Sequence, residues 1–167
     1  MPRTPCVLTG ASSGIGAALA PLLAREGYDL VLVARREAEL AKVAEQVRAA
    51  EPAAVVEVFP LDLAAPGAGE RLFERAPGAK LVVNSAGFGK LGPALKYDLD
   101  TYRRMIALNV SAITEITYVY AKRMAEDGGG TIVNIASTAA FQPIPYFTVY
   151  SATKAYVVSL CEGLHFE

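Results

Sequence analysis

The chain has 167 residues, which is enough for about one domain with a hydrophobic core. Hydrophobic residues make up 53% and charged residues 20%, with 14 glycines and 10 prolines, so disordered, collagen-like and low-complexity classes are excluded. Sixteen basic and seventeen acidic residues give a formal net charge of −1. We therefore expect neither a nucleic acid nor a membrane as a partner.

Two cysteines, Cys6 and Cys161, lie far apart in apolar segments, and His165 stands alone. This pattern supports neither a disulfide framework nor a metal site. The segment from Cys6 to Ala24 is apolar, but hydroxyl residues and glycines interrupt it, and no run of about 18 apolar residues occurs. We expect no signal peptide and no transmembrane helix, and a cytoplasmic location.

Short apolar runs alternate with longer segments of helical period, which is typical of an α/β fold with a parallel sheet between two helical layers. Strands are predicted at Pro5–Thr9, Asp29–Ala34, Ala54–Phe59, Lys80–Asn84 and Thr131–Ser137. Helices are predicted from the glycine turn to Gly27, and then at Arg36–Ala50, Glu70–Arg75, Leu99–Ala125 and from Val149 onward. An aromatic, proline-rich loop, 138–147, joins the fifth strand to the last helix.

The turn after the first strand is rich in glycine and serine. Its candidate binding residues are Gly10, Ser12, Ser13, Gly14, Ile15 and Gly16. A backbone without Cβ atoms can turn sharply and approach a pyrophosphate, whose charge the free amides of a helix start favour. A Walker loop would need a lysine, which is absent, so the turn favours a dinucleotide over a nucleoside triphosphate. Tight packing without a ligand is the alternative.

The pattern thus indicates a Rossmann-like αβα sandwich, and the whole chain, 1–167, reads as a single dinucleotide-binding domain. A full sheet of this type has six strands, and only five are found before the sequence ends. The last segment, Leu160–Glu167, has helical composition without a stop signal. We expect the C-terminal strands to be missing from this chain, as if it were cut within its last helix.

Arg35 and Arg36 follow the second strand, where an acidic residue would bind the ribose 2′-hydroxyl of NAD. Two guanidinium groups suit a 2′-phosphate, because each offers paired donors and a full positive charge. NADP is therefore favoured over NAD as the cofactor. The alternative is that both arginines are ordinary solvated residues at a helix start.

Tyr150 and Lys154 are four residues apart, so on a helix they share one face. The pair alone is weak evidence of a catalytic site. Three other features strengthen it, namely Ser137 at the end of the preceding strand, Asn109 in the long helix and the glycine turn. The sequence resembles the short-chain dehydrogenase/reductase family over its whole length. Six ordered features carry the resemblance. The glycine turn is similar to the family's TGxxxGxG motif, Tyr150–Lys154 is similar to its YxxxK motif, and Asn84–Gly87 is similar to its NAG-type motif. Ser137 and Asn109 fall at the positions of its catalytic serine and asparagine, and Asp62 at that of the residue that contacts adenine.

The resemblance implies hydride exchange between a nicotinamide and a carbonyl or alcohol carbon of a small molecule. It makes Asn109, Ser137, Tyr150 and Lys154 catalytic. It adds to the cofactor site the residues Asp62, Leu63, Asn84, Ala86 and Gly87, together with Tyr150 and Lys154. Assembly into a homodimer or homotetramer is also implied.

Tyr150 is predicted to be the general acid/base, protonating the forming alkoxide or taking the alcohol proton. A free phenol ionises near pH 10, so work near neutrality needs a neighbour that stabilises the phenolate. The ammonium of Lys154, one turn away, is the obvious source. Ser137 would orient the carbonyl oxygen. The resemblance further implies that Asn109 interrupts its helix to hold a water in a proton relay.

Each residue taken alone has a simpler explanation, since Ser137 can cap a turn, Asn109 can be a solvated helix residue and Asp62 a turn former. The aromatic side chains of the loop 138–147 either form an apolar substrate wall or pack under the loop. Phe88, Gly89 and Lys90 could line the same cleft. The competing functional hypothesis is a truncated, catalytically inactive nucleotide-binding remnant of the same fold.

Overall fold

The computed structural model describes residues 2–167 and contains one five-stranded sheet with helices on both faces. Its strands are β1 (Thr4–Thr9), β2 (Tyr28–Ala34), β3 (Val56–Pro60), β4 (Leu81–Asn84) and β5 (Thr131–Asn134). Its helices are α1 (Gly14–Arg25), α2 (Glu37–Ala50), α3 (Ala68–Arg75), α4 (Leu99–Ile106), α5 (Ile113–Glu126) and α6 (Thr148–Phe166). The predicted α/β class and parallel sheet are confirmed.

All strands are parallel, and their order is β3-β2-β1-β4-β5. The chain builds outward from β1 to β3 and then crosses back to place β4 on the other side of β1. Thr9 consequently pairs with Val33 of β2 and with Asn84 of β4 at the carboxyl edge of the sheet. Ligands of open α/β sheets bind beside such a reversal of strand order, where the loops diverge.

The period-2 alternation of the strands builds two cores, one on each face of the sheet. Leu8 and Leu32 pack with Leu40 of α2 on one face. Val7 and Val33 lie in the opposite core, which α3 and α5 cover with side chains such as Leu72, Ile116 and Tyr120. Because both faces of the central strands are covered, these strands are mostly apolar. The edge strand β5 is partly exposed.

The fifth strand is shorter than the sequence predicts. It ends at Asn134, not at Ser137, although the N–H of Ile135 still donates to the carbonyl oxygen of Asn84 at 2.9 Å. Beyond that bond the chain turns away from the sheet, and Ser137 precedes a short 3-10 turn at Thr138–Ala140.

The long helix predicted at Leu99–Ala125 is three consecutive segments. A π-helical turn, Ala107–Ala112, separates α4 from α5 and contains the buried Asn109. Such turns are rare and often mark functional sites, because the extra residue redirects side chains and backbone groups. The expected interruption of the helix at Asn109 is therefore present.

Candidate active site

A cleft of about 510 Å³ lies at the carboxyl edge of the sheet, beside β1 and β4. Most predicted site residues line it: Gly10, Ser12, Ser13, Gly14, Ile15, Arg35, Arg36, Asp62, Leu63, Ala86, Gly87, Tyr150 and Lys154. Four others, Gly16, Asn84, Asn109 and Ser137, do not belong to its lining and lie behind or beside it. The tertiary structure thus brings residues from seven separate segments of the chain to one place.

The glycine turn depends on two close approaches between backbone segments. A Cβ on Gly10 would lie 2.7 Å from the amide nitrogen of Ala86, and the residue has φ 68°, which favours glycine. A Cβ on Gly16 would overlap the carbonyl oxygen of Gly10. Gly16 therefore lets α1 pack directly on the turn, and its place is structural support for the cleft and not part of its wall.

The first residues of α1 face this cleft without a side-chain cap. Ser13 precedes the helix in an extended conformation, and its side chain makes no capping hydrogen bond. Gly14 and Ile15 line the cleft at the helix start. The unbonded amides of a helix N-terminus attract anions. The turn therefore fits a pyrophosphate group.

Arg35 and Arg36 line the cleft close to the serines of the turn. Both are exposed, and a guanidinium nitrogen of Arg36 lies 3.4 Å from the hydroxyl of Ser12. Among residues 2–167, neither arginine forms an ion pair with a carboxylate. Two positive charges without a protein counter-charge thus stand where the sequence places the adenosine ribose.

Asp62 and Leu63 form another wall of the cleft, just after β3. The Asp62 carboxylate accepts a 3.0 Å hydrogen bond from the amide of Ala64, so it does form the local turn that its residue type favours. It is nevertheless exposed and lines the cleft, whereas Leu63 is buried beside it. Turn formation and ligand contact are compatible at this residue.

Tyr150 and Lys154 project from the same face of α6 into the cleft. The Lys154 amine lies 5.8 Å from the centroid of the Tyr150 ring and donates a 2.6 Å hydrogen bond to the carbonyl oxygen of Ile135. Lys154 is buried, and this burial lowers its pKa from the ordinary value of 10.5. A buried ammonium beside a phenol stabilises negative charge on that phenol.

Asn109 is buried, and both polar atoms of its side chain are hydrogen-bonded. Its side-chain oxygen accepts from the N–H of Phe88 at 3.1 Å. Its amide nitrogen donates to the carbonyl oxygen of Phe88 at 2.9 Å and to the hydroxyl of Thr153 at 3.1 Å. The Thr153 hydroxyl in turn donates to the carbonyl oxygen of Tyr150 at 2.7 Å. The side chain of Asn109 therefore joins the loop after β4 to the helix that carries Tyr150.

Ser137 and Asn84 occupy supporting positions in this structure. The hydroxyl of Ser137 accepts a 3.2 Å hydrogen bond from the amide of Ala139 and so caps the 3-10 turn. Asn84 is buried, and its amide donates to the side-chain oxygen of Asn134 at 2.8 Å, which links the ends of β4 and β5. A direct contact of Asn84 with a cofactor stays a prediction without support from this geometry.

The aromatic loop contributes less to the cleft than its composition indicates. Phe147 lines the cleft, whereas Phe141 and Tyr146 are exposed and lie outside it. Phe88 and Gly89 line it as expected, and Lys90 does not. Sequence reasoning did not identify Ile135 or Thr153. Thr153 lies within the YxxxK motif, but its hydroxyl could be linked to Asn109 only through the tertiary fold.

A parallel sheet that reverses its strand order beside a glycine turn, with an open cleft at that point, defines a Rossmann-like protein. Residues 5–167 match the family model described as short chain dehydrogenase. The chain belongs to the short-chain dehydrogenase family, a family of NAD(P)-dependent oxidoreductases that act on CH–OH groups. An uncharacterised oxidoreductase of Staphylococcus aureus (strain MRSA252) is 34% identical over 165 residues, which are 96% of this chain and 70% of that protein.

Solved structures agree with this assignment. A short-chain dehydrogenase from Sphingobium yanoikuyae in complex with NADPH superposes with a TM-score of 0.91 at 36% identity, over 98% of this chain and 65% of that one. A bulky-bulky ketone specific alcohol dehydrogenase from Comamonas testosteroni superposes with a TM-score of 0.92 at 35% identity, over 99% of this chain and 68% of that one. A short-chain dehydrogenase/reductase from Burkholderia phymatum in complex with NAD superposes with a TM-score of 0.89 at 30% identity, over 98% of this chain and 59% of that one.

Residues 2–167 contain no group of three or more histidine, cysteine, aspartate and glutamate side chains placed to hold a metal ion. No helix in the same range combines the length and the apolar character needed to cross a membrane.

Proposed function

We propose that this protein is an NADP(H)-dependent oxidoreductase that interconverts a carbonyl compound and an alcohol, with Tyr150 as general acid/base. The observation that carries the proposal is the placement of Tyr150 and the buried Lys154 in the same cleft as the glycine turn. A phenol and an ammonium thus face a site already shaped for a dinucleotide. Small carbonyl or alcohol compounds are the proposed substrates.

The residues present fit a nicotinamide dinucleotide. The uncapped start of α1, at Ser13, Gly14 and Ile15, would hold its pyrophosphate. Asp62 and Leu63 would flank the adenine, and Ala86, Gly87 and Lys154 would hold the nicotinamide half. Gly87 lies close to two of the proposed site residues, because a Cβ there would be 3.2 Å from the side-chain oxygen of Asn109 and 3.6 Å from the Lys154 amine. When bound, the nicotinamide supplies or accepts the hydride.

The roles of the protein groups follow from their chemistry. Tyr150 donates a proton to the carbonyl oxygen in reduction and removes the alcohol proton in oxidation. Lys154 stabilises the phenolate through its charge, which burial makes more effective. Ser137 orients the substrate oxygen by donating its hydroxyl hydrogen, which the bond accepted from the Ala139 amide leaves free. Asn109 holds the loop and α6 in register and, with a water, extends the proton path.

A preference for NADP over NAD rests on Arg35 and Arg36. Both stand in the cleft without a carboxylate partner, so a 2′-phosphate would be their counter-charge. Relatives in the family include complexes with NADPH and with NAD, so the family alone does not decide the preference.

The test is NADPH oxidation by the purified protein with a panel of aldehydes and ketones that includes bulky ketones, for which the Comamonas testosteroni relative is specific. Tyr150→Phe is expected to lower kcat by about 10²–10⁴-fold, the usual worth of a general acid/base, with the NADPH dissociation constant unchanged within threefold. Tyr28→Phe is the matched control, because Tyr28 is the first residue of β2 and lies at the opposite end of the sheet from the cleft. Loss of both turnover and NADPH binding in Tyr150→Phe would make Tyr150 structural.

The competing function is nucleotide binding without catalysis. NADPH binding without turnover across the panel would favour that alternative. It would leave the glycine turn and the arginines in their proposed roles and remove the role of Tyr150.

Location and assembly belong to the same proposal. Cys6 and Cys161 are both free thiols, which supports a reducing, cytosolic compartment. Assembly into a homodimer or homotetramer through the long helix and α6 has the support of Tyr118 and Tyr156, which are exposed on those two helices.

A further inference from the structure

We propose that Phe147 is a positioning residue that holds the ring of Tyr150 in one orientation, and that Gly89 is required because it leaves room for this pair. The inference rests on the proposed function, since it assigns Phe147 a role through Tyr150. It concerns the aromatic pair and the glycine that contacts it, and none of the family motifs includes either Phe147 or Gly89.

The two rings are stacked at the start of α6. Their centroids are 4.2 Å apart and their planes are inclined by 25°. Phe147 directly precedes the helix and Tyr150 is three residues further on, a spacing that brings side chains together on one helix face. Both side chains are partly buried and line the cleft. The Phe147 ring therefore covers the Tyr150 ring where solvent or substrate would otherwise reach it.

Gly89 packs against both rings. A Cβ at this residue would lie 2.7 Å from Cε2 of Phe147 and 2.7 Å from Cδ2 of Tyr150. Real Cβ atoms do not approach ring carbons that closely, so any side chain here would push the rings out of place. The loop after β4 thus limits the space in which the stacked rings can move.

The backbone of Phe147 is fixed from both sides. Its N–H donates to the carbonyl oxygen of Ile144 at 3.0 Å. Its carbonyl oxygen accepts from the N–H of Ser151 at 2.9 Å and from the hydroxyl of Ser151 at 3.0 Å. The preceding residue, Tyr146, has φ 65° and accepts a 2.8 Å hydrogen bond from the N–H of Gly92. The Phe147 ring therefore starts from an anchored backbone.

A fixed Tyr150 ring matters because proton transfer depends on where the phenol oxygen stands. A displacement of about 1 Å at a reacting group can cost about a hundredfold in rate. Lys154 fixes the electrostatic environment of Tyr150, but an amine 5.8 Å from the ring centroid does not by itself limit rotation or tilt of the ring. Phe147 and Gly89 supply that limit.

The kinetic test compares Phe147→Ala with Phe147→His and with Phe141→Ala. Phe147→Ala is expected to lower kcat about tenfold or more, with the NADPH dissociation constant and the melting temperature near those of the wild type. Phe147→His, assayed above pH 8 where the imidazole is neutral, keeps a flat ring on Tyr150 and is expected to retain kcat within threefold. Phe141→Ala is the control, because Phe141 belongs to the same loop, is exposed and lies outside the cleft. A kcat for Phe147→Ala within twofold of the wild type would overturn the proposal.

Gly89→Ala tests whether the stacked rings of Phe147 and Tyr150 need the space that Gly89 leaves. It is expected to lower kcat by a similar factor, while Gly78→Ala, where a Cβ meets nothing within 4 Å, leaves it unchanged. Equal activity of the two alanine variants would contradict a role for Gly89.

A spectroscopic readout separates this inference from the proposed function. With 3-fluorotyrosine at position 150, the fluorine resonance reports the ring current of Phe147 without any turnover. The chemical shift of this resonance is expected to change in Phe147→Ala and to stay the same in Phe141→Ala. A wild-type protein without turnover overturns the proposed function, whereas an unmoved resonance in Phe147→Ala overturns the stacking itself.

Discussion

The amine of Lys154 donates a 2.6 Å hydrogen bond to the carbonyl oxygen of Ile135, the first residue after β5. This bond ties the helix that carries Tyr150 to the carboxyl edge of the sheet. The amine is buried, and this burial lowers the pKa of Lys154. The hydrogen bond thus positions the lysine, while its burial shifts its pKa.

The first prediction concerns stability as a function of pH. Burial places the pKa of Lys154 below 10.5 in the folded protein, whereas the unfolded chain keeps the ordinary value. Between these two values the unfolded chain binds more protons, so the free energy of unfolding rises with pH. Compared with Lys154→Met, the wild type should therefore gain stability as the pH rises through the lowered pKa toward 10.5, as measured by urea titrations. Lys122→Met, at an exposed residue of α5, should show no such trend. A difference that falls with rising pH would contradict the assignment.

The second prediction concerns cofactor choice. Arg35→Asp removes a positive charge from the proposed 2′-phosphate site and places a negative one there. Charge-assisted hydrogen bonds are worth about 1.5–3 kcal/mol, so the NADPH dissociation constant should rise about tenfold or more. The NADH constant should change little, because NADH has no 2′-phosphate. Fluorescence titration of both cofactors gives the comparison, with Arg25→Asp, at the exposed end of α1, as the control. Equal losses for both cofactors would remove the 2′-phosphate argument.

The third prediction concerns Asn109. Asn109→Ala leaves the partly buried N–H and carbonyl groups of Phe88 without their side-chain partner. The free energy of unfolding should fall by about 2 kcal/mol, and the Phe88 amide should exchange with solvent faster. Ser111→Ala, in the same π-helical turn but exposed, should stay within about 0.5 kcal/mol of the wild type. If the two variants are equally stable, the hydrogen bonds of Asn109 do not support the loop.

The fourth prediction concerns the glycine turn. Gly16→Ala forces a methyl group onto the carbonyl oxygen of Gly10, so the turn or α1 must shift. Overpacking of this kind costs about 1–3 kcal/mol, and NADPH affinity should fall with it. Gly163→Ala is the matched control, because its Cβ meets nothing within 4 Å on α6 and alanine favours the helix by about 0.5–1 kcal/mol. Calorimetry and NADPH titration of both variants provide the measurement. A Gly16→Ala protein as stable as Gly163→Ala would show that the close approach is not required.

Most of the site could be predicted because its residues lie at marked places in the chain. Glycines after a first strand, arginines after a second and a tyrosine four residues before a lysine are local patterns with a physical reason. The strand order could also be expected, since alternating strands and helices allow few topologies. The positions of Asn84 and Ser137 were harder to predict. Their side chains find partners in Asn134 and Ala139 that depend on where β5 ends and how the next turn folds.

The amino-acid sequence by itself determined the parallel sheet, the glycine turn and the shared face of Tyr150 and Lys154, because apolar periodicity and helical spacing are local properties. Only the tertiary structure decided that Gly89 packs against the rings of Phe147 and Tyr150, and that Asn109 reaches Phe88 and Thr153. These contacts join segments far apart in the chain. Whether such side chains meet depends on how the whole chain packs, and no local pattern contains that information.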